Sequence, residues 1–123
     1  MVIDTSVFIE HLRARNRTAT TLANLPVKTV IYVSAVTVFE LFSGATDPNK
    51  TRDVRTLLSD VIVLPFTTEI GERAGEIFRH LRQNGTMIEA TDILIAATAL
   101  SQNLPVKTLN INHFNRIPGL ALA

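Results

Sequence analysis

Three acidic side chains sit where carboxylates are costly. The chain has eleven Asp and Glu residues, and all but these three lie in plainly polar stretches. Asp4 ends the apolar run Met1-Val2-Ile3 and is followed closely by Val7-Phe8-Ile9. Glu40 is embedded between Ala35-Val36-Thr37-Val38-Phe39 and Leu41-Phe42, and Asp92 opens Ile93-Leu94-Ile95-Ala96-Ala97. Burying an ionised carboxylate costs several kcal/mol unless a charge or a set of donors compensates it. No Lys or Arg lies in any of the three runs, so if the acids converge, their repulsion calls for a cation. Oxygen ligands with no cysteine and no histidine close by select Mg²⁺ or Mn²⁺ over zinc. Carboxylates holding such ions activate water against a phosphodiester. Taken singly, each acid has a simpler reading. Asp92 could complement a helix dipole, Asp4 could be a loop or capping residue, and Glu40 could face solvent at a helix edge.

The elements that must position these acids follow from periodicity. Short apolar runs alternate with helical stretches, the pattern of an α/β domain with a parallel sheet. Met1 to Ile3 reads as a first strand, and Ser6 as the cap of a helix through Leu12. A basic stretch follows, then a second helix near Ala19 to Leu25, closed by Pro26. Val30 to Val33 reads as a strand, and Ser34 caps a helix from Ala35 to Ser43 that Gly44 ends. Lys50 to Ser59 is amphipathic, Val61 to Leu64 is a third strand, and a long helix runs from Thr68 to Gln83. The helix opened by Thr91 or Asp92 is apolar nearly all round and must lie in the core. Pro105 to Leu109 gives a fourth strand, Asn110 to Asn115 a helical turn, and Leu120 leads into a last short strand. Asp4 thus stands at the carboxyl end of a parallel strand, where open α/β sheets bind ligands.

Composition bounds the rest. At 123 residues the chain matches one domain, so we expect a single domain over residues 1–123. With 46% apolar and 19% charged residues, it is not a disordered chain. The absence of cysteine excludes disulfides, thiolate metal sites and thiol catalysis. No apolar run reaches the ~20 residues needed to cross a bilayer, and no export signal is legible, so we expect a cytoplasmic protein with no membrane partner. A net charge of +1 neither demands nor forbids nucleic acid.

The residues in their order resemble a PIN-domain nuclease, specifically the toxin subunit of a VapBC-type toxin–antitoxin pair. The resemblance is carried by Val2-Ile3-Asp4-Thr5-Ser6, by Val38-Phe39-Glu40-Leu41 with Gly44, and by Asp92 to Leu100. It continues through Thr108-Leu109-Asn110 to Phe114 and Arg116-Ile117-Pro118-Gly119-Leu120, so it spans almost the whole chain. It implies a PIN-like fold, with a central, mostly parallel sheet of four to five short strands flanked by helices. It implies a Mg²⁺- or Mn²⁺-dependent endoribonuclease cutting tRNA or rRNA, a homodimer, and a small antitoxin that blocks the site. Asp4, Glu40 and Asp92 would be the metal-binding acids, with Ser6 and Thr108 supporting them. Asn110 stands where members of the family often carry a fourth acid, so this site holds one charge fewer.

For RNA the candidate backbone contacts are Lys50, Arg52 and Arg55, Arg79 with Arg82, and the preferred cluster Arg13, Arg15 and Arg17, which leaves the helix that Asp4 introduces. Phe39, Phe42 and Phe66, with Leu57 and Leu58, offer apolar surface to a dimer or antitoxin groove. His11, His80 and His113 are scattered, and we expect them at the surface. An aspartyl-phosphate phosphatase would need a second Asp where Ser6 stands, and a receiver module would need a phospho-acceptor where Leu64-Pro65-Phe66 stands. The remaining alternative is a PIN-like module that binds RNA or protein without cutting.

Overall fold

A computed structural model describes residues 1–123. Four strands form one sheet in the order β3-β2-β1-β4, all parallel: β1 (Val2–Ile3), β2 (Tyr32–Ser34), β3 (Ile62–Leu64) and β4 (Val106–Lys107). The expected last strand is reduced to a single parallel bridge between Val106 and Leu122. Six helices surround the sheet: α1 (Thr5–Arg13), α2 (Ala35–Ser43), α3 (Pro48–Leu58), α4 (Thr68–Gln83), α5 (Ala90–Ser101) and α6 (Ile111–Phe114). None is long and apolar enough to cross a membrane.

Side chains alternate across a strand, so neighbours on β1 serve opposite faces. Val2 joins Val106 in a core with Ile70, Ala74, Ile77 and Leu81 of α4 and the buried side of α5. Ile3 joins Val33 in a smaller core with Val7 and Phe8 of α1, Leu41 of α2 and Val54 of α3. Asp92 and its neighbours Ile93, Ile95, Ala96 and Ala97 are all buried, as the all-apolar helix requires.

Helix ends follow local chemistry. Ser34 Oγ accepts from Val36 N at 3.1 Å and Gly44 closes α2, both as expected. α3 starts earlier than the apolar pattern suggests, because Asp47 accepts from Lys50 N at 2.8 Å and Pro48 fills the first turn. Two expectations are corrected. Residues near Ala19 to Leu25 form a short 3₁₀ turn (Arg17–Ala19) and further turns rather than a helix. There, side chains take the backbone's hydrogen bonds: Glu10 accepts from Thr21 N at 2.7 Å, Asn16 from Thr18 N at 3.1 Å and Thr20 from Ala23 N at 3.3 Å. Ser6 does not cap α1, which begins at Thr5 and leaves the Ser6 hydroxyl for another task.

Candidate active site

The β1–β4 register builds the site. Ile3 pairs with Lys107, so the next residues, Asp4 and Thr108, lie side by side at the carboxyl edge although 104 positions separate them. Asp4 is 1% exposed and Thr108 is buried beside it. The Thr108 hydroxyl donates to Asp4 Oδ2 at 2.7 Å, and the Ser6 hydroxyl donates to the same oxygen at 2.7 Å. The proton directions are fixed by two amides. Leu109 N donates to Ser6 Oγ at 3.0 Å and Asn110 N donates to Thr108 Oγ1 at 2.9 Å, so each hydroxyl accepts there and has its only proton left for Asp4. Oδ1 of Asp4 makes no hydrogen bond within the chain. Although Asp4 sits at the N-cap position of α1, its side chain caps nothing, which removes the simpler reading of that residue.

Asp92 lies in the first turn of α5, and its carboxylate meets His113 Nδ1 at 3.2 Å. Burial pushes the Asp92 carboxyl above the ordinary carboxylate range. The hydrogen bond from His113 opposes this, and the charges of Asp4 and Glu89 add to it. Asp4 and Asp92 therefore feel one another. Glu89, the N-cap of α5, is exposed.

Glu40 is half-buried on α2, less enclosed than its apolar run suggests, beside Phe39 at 68% exposed. The Thr5 hydroxyl donates to Glu40 Oε1 at 2.8 Å and stands 2.9 Å from Thr37 Oγ1. Glu40 is thus tied to the residue next to Asp4. No three His, Asp or Glu side chains stand together as a ready-made cage; of the three acids, only Asp4 and Asp92 act on one another's charge. No Lys or Arg pairs with any of the three.

The donor set fits a hard divalent ion. Mg²⁺ keeps several waters and is held through one or two carboxylates plus substrate phosphate rather than by a closed protein cage. Asp4, with an unshared oxygen, and Asp92, desolvated and repelled by Asp4, would supply such a pair. The Asn110 side chain is exposed and makes no hydrogen bond with the chain.

His113 does more than the surface placement expected of it. It is half-exposed, yet its ring holds Asp92, and the one sequence signal is its closeness to Thr108, just past β4. Among the arginines, Arg17 is committed to Asp53 through contacts of 2.9 and 2.6 Å and to Leu12 O at 3.1 Å. Arg13 and Arg15 are exposed without an ion pair, which leaves them as the free cations of that cluster. Phe39 and Phe66 are exposed, whereas Phe42, Leu57 and Leu58 pack against the smaller core.

Known proteins can be set beside this geometry. The PIN domain family model matches residues 1–120. Ribonuclease VapC10 of Mycobacterium tuberculosis is 35% identical over 114 residues, covering 93% of this chain and 85% of its own. The tRNA(fMet)-specific endonuclease VapC of Salmonella typhimurium is 32% identical over 94 residues, covering 73% of this chain and 71% of its own. Among solved structures, the DNA-bound VapBC of Salmonella typhimurium aligns with a TM-score of 0.87 and 28% identity, over 99% of this chain and 95% of that one.

Proposed function

The chain belongs to the PIN-domain family, and from that premise we propose that it is a divalent-metal-dependent endoribonuclease, the growth-inhibiting toxin of a toxin–antitoxin pair. The observation that carries the reading is the edge of the sheet, where buried Asp4 and Asp92 face each other's charge with no Lys or Arg beside them. Asp4 and Asp92 would hold Mg²⁺ or Mn²⁺, with Glu40 adding charge from α2. A divalent ion bound there lowers the pKa of water and offsets charge building on the phosphate.

The chain's own residues do the positioning. Ser6 and Thr108 fix Asp4 through Oδ2 and leave Oδ1 open, and His113 orients Asp92. The Thr5 hydroxyl, itself beside Thr37 Oγ1, holds Glu40 Oε1 and leaves Oε2 as an acceptor for a proton from the attacking water. Water attacks phosphorus and the bond to O3′ breaks, so the products carry 5′-phosphate and 3′-hydroxyl ends.

The tRNA-specific relative favours tRNA as substrate, with rRNA the second candidate. The VapBC complexes among the structural neighbours support an antitoxin partner. We read the working form as a cytoplasmic homodimer. The test is incubation of total RNA, including the tRNA fraction, with antitoxin-free protein in Mg²⁺, Mn²⁺ or EDTA. Discrete cuts with 5′-phosphate ends, absent in EDTA, are expected. Products with 2′,3′-cyclic phosphates would contradict the mechanism, and a folded protein that binds RNA without cutting it would favour the non-catalytic module.

A further inference from the structure

A cavity of about 220 Å³ opens between α1, α2 and α3. Ile9, Leu12, Leu41 and Val54 give it an apolar floor, and Arg13 and Lys50 stand at its edge. Glu40 and the Arg17-paired Asp53 also line it, so the cavity adjoins one of the three site acids. It has room for roughly seven waters at ~30 Å³ each, less than the ~300–1,000 Å³ clefts that enclose drug-sized ligands. That is space for one planar ring system. A shallower depression shares Ala45 with it and is edged by Arg52 and Arg55.

Charge decides what enters. Arg13, Lys50, Arg52 and Arg55 are exposed and make no ion pair. The acids around them are already engaged: Asp53 is neutralised by Arg17, and Asp47 caps α3. A line of free cations leading to a site acid suits a phosphodiester chain. The cavity has no aromatic wall, which leaves the Arg13 guanidinium as the planar group on which a base can stack.

We infer that this cavity holds one nucleotide of the RNA beside the cleaved bond, with its base on the apolar floor and its flanking phosphates on Arg13 and Lys50. The inference rests on the RNA-cutting reading above and adds to it a place for one base next to the reacting bond.

The test measures cleavage of total tRNA in Mg²⁺ at several salt concentrations, for folded variants checked by melting. Arg13→Glu and Lys50→Glu are expected to raise KM about tenfold or more with a smaller change in kcat. Each should also flatten the dependence of log KM on log salt by about 0.7 for every phosphate the variant no longer neutralises. Gly44→Leu narrows the cavity at its edge, since a Cβ there meets only backbone oxygens at 3.8 Å. It should raise KM and leave the salt slope as it was. Arg73→Glu makes the same charge change on exposed α4, whose core lies across the sheet, and should alter neither. If the parent cuts tRNA and every variant keeps its KM and slope, the cavity inference is overturned while the nuclease stands. Unchanged KM with weakened inhibition by the antitoxin would give the cavity to the protein partner instead. A parent that cuts no RNA takes both readings down.

Discussion

Asp53 and Asp4 are each gripped by two side-chain hydrogen bonds, in opposite ways. Asp53 is half-exposed and receives both nitrogens of one guanidinium, which holds its carboxyl below the ordinary carboxylate range and cancels its charge. Asp4 is buried, and both its donors are neutral hydroxyls on a single oxygen. A carboxylate placed for the fold is given a counter-charge. Asp4 is oriented by its two hydroxyls but receives no counter-charge, and its charge helps push the Asp92 carboxyl up. Under the proposed function, that difference is what assigns the cation to Asp4 rather than to Asp53.

The largest expected effect comes from removing that uncompensated charge. Asp4→Asn or Asp92→Asn should lower RNA cleavage by about three decades, equivalent to several kcal/mol of transition-state charge stabilisation, as read by single-turnover rates. Asp53→Asn should retain metal-dependent cleavage, and equal loss in all three variants would break the contrast. Weakening the neutral grip is milder. Ser6→Ala or Thr108→Ala should cost about 10–100-fold in Mn²⁺ affinity or activity, as outer partners of metal ligands do, and a titration of rate against Mn²⁺ separates the two.

Stability should move the other way. Without metal, Asp92→Asn relieves a desolvated, repelled charge and should raise the melting temperature in EDTA by about 3–5 °C, or roughly 1 kcal/mol. Loss of Asp53 or Arg17 should lower stability by less than about 1 kcal/mol, because both side chains are more than a third exposed and solvent screens the pair.

The pH dependence has opposite signs in the two regions. Asp92's carboxyl is raised in the fold, so its contribution is fully present below its unfolded value near 3.8 and is lost as pH rises through the folded value. Asp53's is depressed, so its contribution is present above 3.8 and is lost as pH falls through the folded value. Urea melts in EDTA should therefore show the parent gaining on Asp92→Asn as pH falls from neutral, and losing ground to Asp53→Asn only in stronger acid.

Much of this contrast is legible in the chain. Acids in apolar runs mark Asp4 and Asp92 because burial and charge conflict locally, and Ser34 and Gly44 bound α2 because caps are local chemistry. Other features depend on register and packing. The meeting of Thr108 with Asp4 needs β4 beside β1, and His113 reaches Asp92 only once α6 folds against α5. Arg17 reads as a free basic residue in the sequence because Asp53, 36 positions away, is brought to it only by α3. The turn region near Thr20 shows the limit of periodicity, since Glu10, Asn16 and Thr20 replace helical hydrogen bonds there.

Whether the uncompensated carboxylate is the one that takes a cation can be read from Mn²⁺ binding, followed by the paramagnetic resonance of the free ion, for the parent, Asp4→Asn and Asp53→Asn. Asp53→Asn is expected to bind as the parent does, and Asp4→Asn to lose the site. Equal binding by all three proteins, or loss through Asp53→Asn alone, would contradict the assignment of Asp4 as a metal ligand.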